Sequence, residues 1–202
     1  IRKEAAESVC MSEIVHGQPN MYFLFMAMAV KMLRTNGEFV FITPRSWTSG
    51  TYFKSFRSYF MDSMDIQRVH LFESRNSVFK GKEGHSDDIL QETMITYGKK
   101  SKSQSRNIII AISQNAQDLG KVKEIQVESG NCLPEGKEHY FVLPSDEEDL
   151  KVLNYMKKMP NTVEEAGFRF KTGQVVEFRN KEYIAWEKKE STIPLLHSCN
   201  VL

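Results

Sequence analysis

Several features that define large classes of protein are absent from this sequence or scarce in it. The three cysteines, Cys10, Cys132 and Cys199, form no pair at metal-ligand spacing, and neither do the five histidines. This usage is typical of a reduced, cytoplasmic protein without a metal site. Basic and acidic residues balance, at 27 against 26. Overall charge therefore does not indicate a nucleic-acid partner, although a local basic patch would still be compatible with one.

The longest apolar segment is too short to cross a membrane. Residues 21–30 are continuously apolar and Leu33 extends them, whereas a membrane-spanning helix needs about 20 such residues. A helix that is apolar on every side is expected between the layers of a protein. We predict such a buried helix here, with Asn20 as its N-cap and Asn36-Gly37 as its stop.

A strand and a second helix follow. Residues 38–42 are apolar strand formers without alternation, which predicts a central parallel strand that is covered on both faces. Pro44 ends this strand, and Thr51 begins a helix with aromatic residues at helical spacing. The chain starts at Ile1 rather than at an initiator Met, and we expect it to be a piece of a longer protein.

The later segments predict a mixed sheet, so the fold class is α/β. A short basic turn separates two predicted strands, residues 92–97 and 107–112, and it favours an antiparallel hairpin at the sheet edge. After about residue 113 the pattern changes to a partial α+β region. The remaining predicted elements are strands at residues 65–72, 122–127, 140–143 and 168–178, and a helix at residues 146–159 capped by Ser145.

The turn after the first strand is the predicted position of a site. In parallel α/β sheets, ligands lie outside the carboxyl ends of the strands, because loops and helix N-termini converge there. Arg45, Ser46 and Trp47 occupy this position. Two interpretations are equally open: these side chains contact a ligand, or Trp47 packs over the sheet and Arg45 is a solvated charge.

Four motifs follow one another in an order that resembles a known family. They are Asn20–Phe25, Gly37–Pro44, Arg45-Ser46-Trp47 and Val78-Phe79. The order resembles the later half of an adenine-specific DNA methyltransferase of the Asn-Pro-Pro-Tyr class, as found in type II restriction–modification systems. Ile1-Arg2 is similar to the dipeptide that follows this tetrapeptide in many relatives. The resemblance covers roughly residues 1–112. A weaker resemblance, in residues 172–176 and 193–196 with Asn200, is to the opening of the family's target-recognition domain.

The resemblance implies a domain organisation and an activity. Residues 1–115 would be the C-terminal part of a Rossmann-like catalytic domain, and residues 116–202 a linker and the beginning of a DNA target-recognition domain. The enzyme would transfer a methyl group from S-adenosylmethionine to the exocyclic amine of an adenine that is flipped out of duplex DNA. The tetrapeptide and the Gly-rich cofactor loop are absent from this chain. No catalytic residue is therefore assigned, and the fragment by itself is expected to be inactive.

The resemblance also implies roles for single side chains. Phe25 and Tyr22 are assigned to cofactor binding, with a core position as an equal alternative for Phe25. Phe79 is assigned to stacking on the flipped base, a contact worth roughly 1–3 kcal/mol. The further DNA contacts are Arg45, Trp47, Arg75, Lys80 and Lys82, although a charged loop is more often merely solvated. The partner implied is duplex DNA. The upstream half of the enzyme and a restriction endonuclease are further candidates, and neither a membrane nor a metal is expected.

Two other functions are weighed against this one. A DNA-recognition or specificity module would borrow the fold without catalysing a reaction. A metal-dependent nuclease would use an Asp followed later by Glu-x-Lys, and Asp146 with Glu187 and Lys189 has those letters. Such a site needs both carboxylates on adjacent strands. Asp146 is predicted in the first turn of a helix, so chance explains the nuclease pattern better.

Overall fold

The computed structural model describes residues 20–74, 92–118, 120, 122–169, 179–185, 187 and 190–195. By its internal contacts the chain divides into two units, residues 1–158 and 159–202. The first unit contains helices α1 (Met21–Met32), α2 (Lys54–Met61), the single-turn α3 (Ser129–Cys132) and α4 (Glu147–Met156). Its strands are β1 (Glu38–Pro44), β2 (Met64–Phe72), β3 (Thr93–Lys100), β4 (Asn107–Ser113) and β5 (Lys123–Glu128). In the second unit, the described residues include a short 3-10 turn at Lys181–Tyr183.

The first unit is built on a mixed sheet with strand order β1-β3-β2-β4-β5. Strand β3 is antiparallel to both β1 and β2, strands β2 and β4 are parallel, and β5 is antiparallel to β4. Gly98 permits the close fit of β3 between its neighbours. A Cβ atom there would lie 2.1 Å from the carbonyl oxygen of Asp65 and 2.9 Å from the ring of Phe39.

The hairpin predicted between residues 92–97 and 107–112 is wrong, because the connection from β3 to β4 crosses the start of β2. Asp65 is buried there, and its carboxylate accepts hydrogen bonds of 2.7 Å from both the backbone amide and the hydroxyl of Ser105. Gln104 Nε2 donates to the carbonyls of Met61 and Met64 at 2.8 and 3.0 Å. The connection therefore delivers β4 to the far side of β2, where β4 pairs in parallel with β2 and antiparallel with the edge strand β5.

Strand β1 lies at an edge of the described sheet rather than at its centre, and it is antiparallel to its neighbour. Phe39 and Thr43 are buried, whereas Val40 is 66% and Ile42 49% exposed. The ring centroids of Phe39 and Phe60 are 5.5 Å apart, so α2 covers one face of the strand. The prediction of a central parallel strand covered on both faces is therefore wrong for the described part of the chain.

Helix α1 is confirmed, but it is not buried on every side. Phe23, Met26, Ala27 and Val30 are buried in the core, where the ring of Phe23 lies 5.3 Å from that of Phe56 on α2. The opposite face carries three exposed apolar side chains at helical spacing, Met21, Phe25 and Met32. The continuous apolar run thus covers two faces of the helix: one packs into the core, and the other is an exposed apolar stripe.

The segments after β4 differ from the prediction in detail. Residues 140–143 do not form the predicted strand: Phe141 N donates to the carbonyl of Thr48 at 2.9 Å, and Val142 N to that of Cys132 at 2.7 Å. Helix α4 is capped by Asp146, not by Ser145, because the Asp146 carboxylate accepts the amide of Asp149 at 2.8 Å.

Strand β5 extends the sheet past the domain boundary that was predicted near residue 115. The assignment of residues 116–202 to a linker and a target-recognition domain stays a prediction. The strand predicted at residues 168–178 falls almost entirely outside the described residues. Within the described ranges, no helix combines the length and apolar character that a membrane span requires.

Candidate functional site

The turn that follows β1 is fixed at both of its ends. Residues Arg45–Thr48 form a 3-10 turn. The backbone amide of Arg45 donates to the carbonyl of Glu92 at 2.8 Å, and that of Gly50 donates to the carbonyl of Ser46 at 2.9 Å. The turn therefore lies beside the start of β3, at the carboxyl end of β1, where the sequence predicted a site.

Trp47 points from this turn into the core. It is fully buried, and its indole Nε1 donates to Thr43 Oγ1 at 3.2 Å. Its ring centroid lies 5.8 Å from that of Phe56, and 5.7 Å from those of Phe60 and Phe141. With no accessible ring surface, Trp47 cannot touch a ligand. We therefore replace its assignment as a DNA contact by a packing role.

Arg57, on α2, joins the turn to a distant segment of the chain. The side chain is fully buried. Nη1 donates to the carbonyls of Trp47 and Gly50 at 3.0 and 2.7 Å. Nε and Nη2 donate to the carbonyl of Glu138 at 3.1 and 2.8 Å, and Nε also to that of His139 at 3.0 Å. Burial lowers the pKa of Arg57, while nearby Tyr140 and Glu138 oppose that shift. The guanidinium thus stabilises a junction between the turn and residues 138–140.

Lys54, one turn earlier on α2, contacts the same distant segment at its surface. Its ammonium lies 2.6 Å from the carboxylate of Glu138. This hydrogen bond is the main reason why the pKa of Glu138 lies below its usual range. The pair is largely exposed, so it is expected to add little stability beside the buried bonds of Arg57.

An open groove of about 890 Å³ lies beside this junction. Its lining includes Arg45, Ser46 and Ser49 from the turn, Tyr140 from the distant segment, and Asp149 and Val152 from α4. Tyr140 is 43% exposed, and the guanidinium carbon of Arg57 lies over its ring, 5.3 Å from the centroid. The groove therefore combines a supported aromatic ring with charged, hydroxyl and apolar groups.

The charges in the groove have different environments. Asp149 accepts hydrogen bonds of 2.7 Å from the amide and the hydroxyl of Ser145. These bonds, followed by a backbone hydrogen bond from Asp146 and the charge of Arg45, lower the pKa of Asp149. The guanidinium of Arg45 makes no hydrogen bond or ion pair with any residue that the structure describes. An anionic carboxylate and an available cation therefore line the same groove.

The two residues assigned to the cofactor are both placed on α1. The hydroxyl of Tyr22 lies 3.1 Å from Ser46 Oγ, and its ring centroid lies 5.9 Å from that of Phe53. Burial raises the pKa of Tyr22, and the hydrogen bond with Ser46 opposes this. Phe25 is 62% exposed, so the alternative that it is a core residue is wrong. Cofactor binding by Phe25 and Tyr22 stays a prediction.

Four assigned DNA contacts lie outside the described residues: Arg75, Phe79, Lys80 and Lys82. In the described ranges, no group of His, Cys, Asp and Glu could hold a metal ion. Asp146 is the N-cap of α4, one residue before the first turn in which it was predicted, and its carboxylate accepts the backbone amide of Asp149. Cys132 is a free, buried thiol whose pKa burial raises to about 12.

Sequence reasoning missed Arg57 and Tyr140. A signal for Arg57 exists, since it is a cation next to Phe56 and one turn before Phe60 on a helix with aromatic residues at helical spacing. A charge at such a position is buried only when it is fully hydrogen-bonded. Nothing local distinguishes Tyr140 from its neighbours, because its support comes from α2.

The first unit is thus an α/β domain with a mixed sheet and a groove at the carboxyl end of a strand. Residues 7–79 match the family described as Eco57I restriction-modification methylase. This match includes α1, β1 and the Arg45–Thr48 turn. It confirms the resemblance that the four sequence motifs predicted: the chain is similar in sequence to restriction–modification methylases.

Particular relatives agree with this class. The chain is 28% identical over 197 residues to the type II methyltransferase M.PstI of Providencia stuartii, covering 97% of this chain and 38% of the relative. It is 31% identical over 182 residues to M.BsuBI of Bacillus subtilis, covering 88% and 34%. The chain thus spans just over a third of the length of the curated relatives that it matches.

Among solved structures, the type IIG restriction endonuclease BpuSI aligns with 63% of this chain and 17% of its own, at 14% identity and a TM-score of 0.44. The family relationship rests on the sequence matches.

Proposed function

We propose that the chain is part of an enzyme that transfers a methyl group from S-adenosylmethionine to the exocyclic amine of adenine in duplex DNA. The observation that carries this proposal is the family match over residues 7–79, together with two type II methyltransferases matched along most of the chain. The adenine target rests on the order of the four motifs. A DNA-recognition module without catalysis is the alternative.

The chain's own residues would position the substrates rather than perform the transfer. Phe25 offers an exposed ring, the kind of surface on which the adenine of S-adenosylmethionine can stack. Tyr22, which we also propose to contact the cofactor, holds α1 against the Arg45–Thr48 turn through its contacts with Ser46 and Phe53. When bound, the cofactor supplies the methyl group. The amine-holding tetrapeptide is absent from these 202 residues, and we propose that they are inactive by themselves.

The activity is tested with the complete open reading frame. The full protein is incubated with labelled S-adenosylmethionine and mixed-sequence duplex DNA, and the product is digested to nucleosides. Label in N6-methyladenine is expected; label in another base would refute the adenine target, and no label would favour the non-catalytic module. The 202-residue chain is assayed in parallel, and incorporation above a no-protein control would contradict its proposed inactivity.

The cofactor role of Phe25 is tested with a matched pair of substitutions on α1. Phe25→Ala in the full protein should raise the Kd for S-adenosylmethionine several-fold, because an exposed aromatic contact is lost. Met32→Ala removes another exposed apolar side chain of the same helix, 78% exposed, and should leave the Kd unchanged. Equal effects of both substitutions, or none, would remove Phe25 from the cofactor site.

The base-stacking role of Phe79 rests on the sequence resemblance. Phe79→Ala in the full protein should slow methylation or weaken binding by about 1–3 kcal/mol, the value of one base stack. Phe79→Trp should be tolerated, because any aromatic face can stack. Single-turnover methylation, with a fluorescent base at the target position, measures both. If Phe79→Ala flips and methylates like the parent, the residue has no stacking role.

A further inference from the structure

The geometry points to a nucleobase site in the groove beside Tyr140. We propose that an unstacked base of a DNA strand lies against the Tyr140 ring, with its edge toward Arg45 and Asp149. This base is distinct from the one assigned to Phe79. The inference rests on the proposed action on DNA and deepens it, because it adds a second position at which the protein holds a base.

One face of the Tyr140 ring is covered by another side chain, which holds the ring in place. Arg57 lies over one side of the ring, at 5.3 Å from the centroid, and is itself fixed by hydrogen bonds to four backbone carbonyls. The ring is nevertheless 43% exposed and lines the groove. An aromatic ring that is held in place and open to solvent loses little entropy when a base stacks on it. Phe141, the next residue, is buried and fixes the backbone at this point.

The polar groups of the groove favour a base edge over a bare phosphate. Asp149 is a carboxylate with lowered pKa, and Arg45 is a guanidinium without a partner among the described residues. Nucleobase edges present amine donors and ring-nitrogen or carbonyl acceptors side by side, so one edge can satisfy both groups. A phosphate would be attracted by Arg45 but repelled by Asp149. Val142 and Val152 add apolar surface for the base.

The experiment uses the 202-residue chain and a single-stranded oligodeoxynucleotide of ten nucleotides, one of which carries 2-aminopurine. Fluorescence reports stacking of that base, and titration gives the affinity at one fixed salt concentration. Tyr140→Leu is expected to weaken binding by about five-fold or more, as the loss of one base stack predicts. Tyr140→Phe keeps the ring and should restore both the affinity and the fluorescence change.

A matched control is available on α4. Tyr155 is 68% exposed but does not line the groove, so Tyr155→Leu should bind like the parent. Thermal melting verifies that each variant is folded. If Tyr140→Leu binds like the parent, or Tyr155→Leu weakens binding equally, the base site is refuted while DNA binding stands. If the parent binds neither this oligonucleotide nor duplex DNA, the base site is refuted together with DNA binding by this chain.

Discussion

The Arg45–Thr48 turn and residues 139–143 each place neighbouring side chains in opposite environments. Trp47 is fully buried and Phe141, which borders the groove, is nearly so, whereas Arg45 and Tyr140 line the groove with partly exposed side chains. We call Trp47 and Phe141 the inner side of this junction, and Arg45 and Tyr140 its outer side. One short turn and one segment without regular secondary structure thus supply both the packing that fixes the site and the groups that line the groove.

Arg57 connects the two sides of the junction. It binds the carbonyls of both segments and also lies over the Tyr140 ring. Changes on the inner side should therefore lower stability, and those on the outer side should alter binding with little effect on folding. The predictions below test this separation.

The largest effect is expected for Trp47→Ala. The substitution removes a fully buried ring that packs on three others, and the free energy of unfolding should fall by about 3–5 kcal/mol. Urea denaturation followed by circular dichroism measures it. The outer-side substitution Tyr140→Leu should stay within about 1 kcal/mol of the parent. Equal losses for both would abolish the distinction between the two sides.

Arg57→Lys should cost about 1–3 kcal/mol, although the charge is kept. An ammonium cannot reproduce the planar fork that reaches carbonyls on two segments, and buried acceptors are left without donors. Arg68→Lys is the control. The ion pair of Arg68 with Glu124 is exposed, so this substitution should change the free energy of unfolding by less than about 1 kcal/mol. If the two variants unfold at the same urea concentration, the junction does not depend on the guanidinium.

Thr96→Val should stabilise the protein by about 1 kcal/mol. Among the buried side-chain polar atoms that the structure describes, Thr96 Oγ1 is the one without a hydrogen-bond partner, so its desolvation is uncompensated. Thr43→Val is the matched comparison, because the Thr43 hydroxyl accepts a hydrogen bond from the Trp47 indole. This substitution should destabilise the protein. Thermal unfolding of the two variants should therefore shift in opposite directions.

The smallest effect concerns His70, which lies on β2 away from the junction. Burial, and then the charge of Arg68, lower the pKa of His70 below its usual 6.5, while Glu124 opposes the shift. The unfolded chain then binds the proton more readily, so this contribution to stability is complete above about pH 6.5 and is lost as the pH falls. His70→Gln should flatten the dependence of unfolding free energy on pH between 7 and 5, and an unchanged slope would contradict this.

The sequence predicted which segments of the first unit form helices and strands better than it predicted how the strands pair. Apolar runs located α1 and β1, and the strand predicted at residues 65–72 corresponds to β2 (Met64–Phe72). Strand pairing depended on Asp65, whose bonds to Ser105 draw the connection across β2. The sequence does not show which residue will bond to a buried carboxylate at the start of a strand. A short basic turn between two predicted strands, in contrast, favours a hairpin on local grounds alone.

A groove lies where the sequence predicted a site, but the burial of Trp47 was not predicted. The end of β1 was predicted as the place for chemistry, and the groove lies there. Because the neighbours of Trp47 in sequence are polar, the sequence left ligand contact and packing over the sheet equally open. Its burial is decided by Phe141, far along the chain, and by the Arg57 bonds to residues 138 and 139. Such distant contacts leave no periodic signal near residue 47.

The position of β3 between β1 and β2 has a consequence for the order of folding. Its register pairs Phe41 with Thr96, so β1 waits for a strand that is synthesised much later. Until β3 emerges from the ribosome, β1 and β2 each present an unpaired edge toward the gap, which is the kind of edge that pairs with other chains. The order of synthesis therefore makes β3 a middle strand that inserts between two earlier ones, whereas β4 and β5, which follow it in the chain, add outward from β2.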